Sequence, residues 1–437
     1  MDMATITLLM FGVMVLLLCT GLPVAFVIGS VGIIFAYFLW GPGGLSMVIY
    51  PTYGLSLTFL LAAVPLFIFM GLILQKSGIA DDLFEAMYKW AGGLRGGMAV
   101  GTVIVCAIIA AMVGISGAAT VAMGLIALPA MLKRNYSKYL ATGTIQAGGA
   151  LGLLIPPSIP FLVYAFVAQQ SAGMLFASGV LPGLLLCSLY IVYILVRSAL
   201  QPELAPALPP EERATLREKM LSLKALVLPF AVIFSVMACV VLGITTITEA
   251  SVIGALGAMV AAAVQRKLTF RMIRESLERT TIVTAMVMWI ALAAVCFGSI
   301  YTGLGAAKMV KDVFLGLGLG PWGVLICMQL SFFVLGMFLD DTAILFLTVP
   351  LYLPIVKQLG FDPLWFGTLF VINMQMAFLT PPYGLNLFYM KGVVPRGITM
   401  TDLYWSVWPF VLIQAVGLAL VMIFPQIALW LPNAVFR

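Results

Sequence analysis

The sequence predicts an all-α polytopic membrane protein built from inverted repeats, with two re-entrant hairpins and two broken helices. Three observations lead there. Of its 437 residues 63% are apolar and 9% charged, where a soluble domain carries about half and about a quarter. Apolar stretches near the ~20 residues of a membrane helix recur from end to end and leave little chain for a domain outside the bilayer. A long apolar stretch interrupted in its middle, followed by one split by Pro-Pro, occurs twice at a spacing of 225 residues.

Residues 1–5 carry no basic cluster ahead of the first apolar run, so 3–19 reads as a retained span and not as a cleaved signal. Spans of ordinary length follow at 22–40 and 53–75. Segment 79–92 mixes Lys and Asp with apolar residues and is expected along the membrane interface, as are 268–279 and 304–316. Stretch 97–133 is too long for one helix and is split by Gly-Ile-Ser-Gly-Ala-Ala-Thr at 114–120, which predicts a hairpin re-entering the side it came from. Stretch 138–169 is interrupted at 152–158, where Pro156 and Pro157 remove two backbone donors and crowd the preceding turn. Spans follow at 176–197, 224–243, 247–264 and 280–300. The second hairpin is expected at 320–357, split at 336–342, and the second broken helix at 364–391, interrupted at 379–384. A final span covers 404–424.

The two halves are copies. An offset of 225 pairs Leu128 with Leu353, Pro129 with Pro354, Pro156 and Pro157 with Pro381 and Pro382, and Tyr164 with Tyr389. An offset of 227 pairs Gly71, Gly78 and Gly93 with Gly298, Gly305 and Gly320. If each hairpin returns to its own side, 18 of the 22 Lys and Arg residues fall in the cytoplasm, leaving Lys308, Lys311, Lys357 and Arg437 outside. Both termini then lie on the periplasmic side. That arrangement explains the net charge of +6 without nucleic acid or another anionic partner. It also makes the repeats inverted, and inverted repeats with helices interrupted at mid-depth are the pattern of secondary transporters.

Composition narrows the chemistry further. The chain has no histidine, which removes the usual general base and zinc ligand. Its six cysteines stand alone in apolar runs, without the spacing of a metal site or disulfide framework. An intramembrane protease would have no base for Ser116, and Asp340 and Asp341, as sequence neighbours, are poorly placed to share one catalytic water. A channel fits less well than alternating access, because inverted hairpins close on a central site.

Interrupted backbone survives in a bilayer only where protein or a watery cavity satisfies it, so four interruptions imply one polar chamber. Ending half-helices offer carbonyls suited to Na⁺, and starting ones offer N–H groups suited to a carboxylate. Ser116, Thr120, Ser158, Asp341, Thr342 and Thr380 stand at or beside such ends. Asp340 and Asp341 are the carboxylates within a hairpin; they either form a cation site or cap the helix starting at Thr342. Glu249 falls in a short turn between spans and is expected at the interface. Gln146, Asn373, Gln375 and Asn386 either touch substrate or hydrogen-bond between helices. No Lys or Arg lies in the interruptions. An anionic substrate would need helix N-termini and bound cations for compensation, which favours ion coupling, with sodium preferred to protons because oxygens are plentiful and histidine is absent.

Gly-Ile-Ser-Gly-Ala-Ala-Thr-Val-Ala at 114–122, Leu-Gly-Leu-Leu-Ile-Pro-Pro-Ser-Ile at 151–159, Leu-Pro-Gly at 181–183 and Val-Pro-Leu-Phe-Ile-Phe-Met-Gly at 64–71 resemble the large membrane subunit (DctM-like) of TRAP (tripartite ATP-independent periplasmic) transporters. So do Asp-Asp-Thr at 340–342 and Thr-Pro-Pro-Tyr-Gly-Leu-Asn at 380–386. The resemblance implies an elevator-type, sodium-coupled transporter of the ion transporter superfamily in a bacterial inner membrane. It further implies a small four-helix membrane subunit, expected as a separate polypeptide, and a periplasmic binding protein that delivers an organic acid such as a C4-dicarboxylate.

Carried over by motif, one sodium site would involve Ser116, Gly117, Gly152, Ile155 and Pro156. A second would involve Gly336, Asp340, Asp341, Thr380 and Pro381, so two or more Na⁺ are expected. Substrate would meet Ser116, Thr120, Ser158, Thr342, Tyr383 and Asn386. Where the family has two hydroxyl residues at the first tip, this chain has Ser116-Gly117, which leaves backbone carbonyls as the expected ligands there. The implied division is scaffold at 1–75, first transport half at 76–175, central scaffold at 176–279, second transport half at 280–400 and a C-terminal scaffold helix at 401–437. A self-sufficient dicarboxylate symporter of the same superfamily is the alternative.

Overall fold

The computed structural model describes residues 2–316, 318–382 and 384–436, apart from the side chains of residues 307 and 315. Its regular elements among these residues are all helices. α1 (Met3–Cys19) and α2 (Val24–Trp40) are neighbours joined by a tight turn. Short 3-10 segments lead into α3 (Ser46–Ser56) and α4 (Ala63–Lys76). α5 (Ile79–Ala91) is amphipathic, burying Ile79, Leu83, Phe84 and Met87 while Asp81, Asp82 and Glu85 stay exposed.

The first repeat continues with α6 (Gly97–Val113), α7 (Ser116–Lys133), α8 (Lys138–Ala150) and α9 (Ile159–Ala168). Between α8 and α9 a 3-10 turn and the Pro156-Pro157 pair stop the helix, and Pro160 lies in the first turn of α9, where its missing N–H costs nothing. α10 (Ala172–Leu200) leads through a Pro-rich segment to α11 (Leu216–Ser222), α12 (Lys224–Val241), α13 (Ile247–Val264), α14 (Phe270–Gly303) and α15 (Ala306–Gly316). The second repeat holds α16 (Gly320–Gly336), α17 (Asp341–Gln358), α18 (Pro363–Leu379) and α19 (Leu385–Lys391). α20 (Met400–Ile423) and α21 (Gln426–Val435) complete the chain. Caps mark several starts: Asp362 accepts the N–H groups of Leu364 and Trp365, and Thr246 forms a capping box with Glu249. Glu249 thus serves a helix start at an exposed turn.

Two packed groups emerge. α2, α3, α4, α13 and α14 lie against one another, with α12 on α13. The hairpins α6–α7 and α16–α17 pack with the broken helices α8–α9 and α18–α19; α10 and α20 also pack on the broken helices. The groups meet where α14 runs along α17 and α4 along α6. Eight segments among the described residues are long and apolar enough to cross a membrane.

The basic segments, scattered in sequence, gather at one end. Lys76 pairs with Glu275 at 2.7 Å, Lys138 with Asp402 at 2.7 Å, and Arg134 with Glu212. The feet of the first hairpin are at this end. Those of the second are at the other, where Trp322 packs on Phe361 and Tyr164 donates to the Pro363 carbonyl at 2.6 Å. The repeats are therefore inverted in space.

Some boundaries differ from expectation. Residues 268–279 are no separate interface segment; all but the first two form the opening turns of the 34-residue α14, because a helix satisfies its own backbone as well in water as in lipid. The expected span at 53–75 is divided, with α3 ending at Ser56 and α4 starting at Ala63. The first hairpin's interruption shrinks to Gly114 and Ile115.

Candidate functional site

All four interruptions border one cavity of about 760 Å³. The first hairpin contributes Gly114, Ile115 and Ser116, and the first broken helix Leu153, Ile159 and Pro160. The second hairpin contributes Phe338 and Asp340 to Thr342, and the second broken helix Phe378, Pro382, Leu385 and Tyr389. Facing them is an apolar wall that includes Leu18 of α1, Phe26 of α2 and Met286 and Trp289 of α14.

Small residues bring backbones together around this space. Gly114 turns the chain at φ +66°, and a Cβ there would run into the Pro157 carbonyl. A Cβ at Gly152 would stand 2.9 Å from the Ile115 carbonyl oxygen and 3.2 Å from the Ser116 Cα. The first tip thus rests directly on the first interruption. In the second repeat Gly336 lies against Ala377 and Met374 of α18. The repeats also cross: the ring of Tyr389 covers Gly117 of the first hairpin, and Phe166 packs on Phe346 of the second at 6.1 Å.

Ser116 and Asp341 are the first residues of α7 and α17, so the N-terminal ends of two 18-residue helices border the cavity. Asp341 Oδ1 accepts the Thr342 N–H at 2.9 Å. Asp340, at the N-cap of α17, makes no capping hydrogen bond, and its Oδ1 is buried with no partner among the described residues. The site joins two carboxylates, the hydroxyls of Ser116, Thr342 and Tyr389 and two helix N-termini, with no Lys or Arg among the described residues of its wall.

Of the residues the sequence points to, Ser116, Asp340, Asp341 and Thr342 are on the wall. Thr120 lies behind it, donating to the Ser116 carbonyl at 3.2 Å, and Ser158 donates to the Leu153 carbonyl. Thr380 donates to the Met376 carbonyl at 2.7 Å. Gly117, Gly152, Ile155, Pro156, Gly336 and Pro381 shape the tips and interruptions without lining the cavity. Asn386 does not line the wall: it is fully buried between α19 and α8, its Nδ2 donating to the Gln146 carbonyl at 3.3 Å. Tyr383 lies outside the described residues. Asn373 bonds Gln329, and Gln146 bonds Ser406, both between helices. Gln375 is fully buried with no amide partner among the described residues. Sequence reasoning missed Tyr389 and Phe338 on the wall; the pairing of Tyr389 with Tyr164 across the repeat was the available signal.

Residues 11–427 match the family described as the DctM component of the tripartite ATP-independent periplasmic transporter. The chain belongs to this family. It is therefore a transporter subunit and not an enzyme, and a multi-pass membrane protein. The chain is 31% identical over 448 aligned positions to a C4-dicarboxylate TRAP transporter large permease protein of Rhodobacter capsulatus, covering 98% of each. It is 30% identical to the sialic acid TRAP transporter large permease of Vibrio cholerae, covering 95% of this chain and 96% of that one. The solved YdaH transporter of Alcanivorax borkumensis superposes with a TM-score of 0.63 at 14% identity, over 90% of both chains, a likeness of fold alone.

Proposed function

We propose that this permease carries Na⁺ together with a small organic acid anion across a bacterial inner membrane by an elevator movement. A periplasmic binding protein supplies the acid and a small four-helix subunit completes the membrane complex. The observation that carries the reading is the convergence of four helix interruptions from two inverted repeats on one cavity. A carboxylate entering it meets the N-termini of α7 and α17, while Asp340, Asp341 and backbone carbonyls at the tips supply the hard oxygen donors that a sodium ion takes. Without a cation the anion would face two carboxylates in a low-dielectric space, so each species lowers the cost of binding the other. That mutual dependence is the coupling.

The hairpins, broken helices, α10 and α20 form the moving body, and α2, α3, α4, α12, α13 and α14 the stationary one, a division by packing that takes α10 and α20 out of the scaffold, and α14 out of the second transport half, to which the sequence expectation assigned them. The cavity reaches the α1–α2 turn and Val283 to Ile290 in the middle of α14. Relatives named for C4-dicarboxylate and for sialic acid support a carboxylate without fixing which one.

The test reconstitutes the permease with its small subunit and binding protein in proteoliposomes. An acid that stabilises the binding protein in a thermal-shift panel serves as the probe. Uptake should require an inward sodium gradient; equal uptake with potassium in place of sodium would defeat the proposal.

A further inference from the structure

The two repeats treat the joint in front of each hairpin differently. Before the second hairpin, Gly316, Gly318 and Gly320 have open space where a side chain would stand, and Gly318 and Gly320 hold φ of +66° and +68°. Before the first, Gly92, Gly93, Gly96 and Gly97 form an equally glycine-rich joint between α5 and α6. Here the segment joining α10 to α11 lies across it.

That segment is bonded to both sides of the joint. Leu208 N–H donates to the Gly92 carbonyl at 2.8 Å on the α5 side, and Gly96 N–H donates to the Ala205 carbonyl at 3.0 Å on the hairpin side. Ser137, at the hairpin's other foot, donates its N–H to the Leu204 carbonyl at 2.8 Å. The Leu208 side chain occupies the place a side chain at Gly92 would take, and Leu208 is only 4% exposed. The guanidinium of Arg134, beyond the end of α7, holds Glu212 with Nη1–Oε1 at 2.8 Å, and Arg213 Nε donates to the Leu208 carbonyl at 3.1 Å.

Hinges are the few loop positions that absorb the φ/ψ change when packed bodies move. Bonds from one segment to both sides of such a joint fix the angle between α5 and α6. Resting on the elevator reading above, we infer that residues 204–212 are a latch on the first joint. The latch holds the present conformer and releases when the hairpin moves; the second joint has no counterpart among the described residues.

Two variants weaken the latch away from the cavity: Leu208→Ala and Glu212→Gln. Hydrogen exchange of the 92–99 peptide reports whether the joint is freed. Nitroxides on non-canonical residues at Leu125 of α7 and Val260 of α13, both exposed, report the distance between hairpin and scaffold in sodium or choline chloride. Both variants should exchange at least about tenfold faster at 92–99. They should also raise the population of a second distance by at least about threefold. Unchanged exchange would overturn the latch, as would faster exchange with an unaltered distance distribution. If no second distance exists in wild type or variant in either salt, the elevator reading fails first and the latch falls with it.

Discussion

The ring of Tyr389, from the second repeat, lies over Gly117 in the first hairpin so closely that no Cβ fits between them. Tyr389 also lines the cavity, so this contact ties the shape of the site to the packing of one repeat on the other. Gly117→Ala should displace the ring and cost about 1–3 kcal/mol by overpacking. Tyr389→Ala in the same chain should return most of the loss. A double-mutant cycle on thermal unfolding checks this, and additive effects would show that the two residues do not constrain each other.

Asn373 and Gln329 join α18 to α16 through Nδ2–Oε1 at 2.9 Å, with a second bond from the same nitrogen to the Gln329 carbonyl at 2.7 Å. Asn373→Leu leaves Gln329 buried without this partner and should lower stability by about 1–2 kcal/mol. Asn373→Leu with Gln329→Leu should be less destabilising than the single change, because an apolar pair leaves no amide to satisfy. Equal losses in single and double variants would mean that packing volume, not the hydrogen bond, holds these helices.

Much of this architecture was legible because a few residues admit only one local outcome. Pro156-Pro157 and Pro381-Pro382 cannot continue a helix, so both interruptions were readable from spacing alone. The charged opening of α14 misled, since polarity marks where the membrane ends and not where a helix ends. Asn386 was not placed by the sequence: an amide on a broken helix suits a ligand or a neighbouring carbonyl equally, and the packing of α19 on α8 gives it the Gln146 carbonyl. The segment at 204–212 was invisible because its bonds run through backbone atoms to Gly92, Gly96 and Ser137, which no side-chain pattern encodes.

Glu212 gives the proposed latch a pH signature. Its hydrogen bond with Arg134 holds the carboxyl below the ordinary glutamate value of 4.5. A carboxyl lowered in the folded state contributes fully above its unfolded value, and the contribution is lost as pH falls through the folded one. Protection of the 92–99 peptide, corrected for intrinsic exchange, should therefore stay flat from neutral pH to about 5 and fall below that. Glu212→Gln should lack this acid step and start from the lower protection. Identical profiles for the two proteins would remove Glu212 from the latch.

Asp340 and Asp341 separate a cation site from simple helix capping. Capping needs only an acceptor at the start of α17, which asparagine also offers, and Asp341 Oδ1 already accepts the Thr342 N–H. A sodium site depends on the negative charge. An ion that binds only the folded protein stabilises it by RT ln(1 + c/Kd), where c is the sodium concentration, and so raises its melting temperature. Wild-type protein should therefore melt higher in sodium chloride than in choline chloride at equal ionic strength. Asp340→Asn and Asp341→Asn should each weaken sodium binding about tenfold, a loss of about 1.4 kcal/mol, and shrink that gain. Both variants should melt close to wild type in choline, since the acceptor at the helix start is kept. A sodium gain that survives in the double variant would assign these carboxylates to the helix start alone and leave the ion to the backbone carbonyls of the tips.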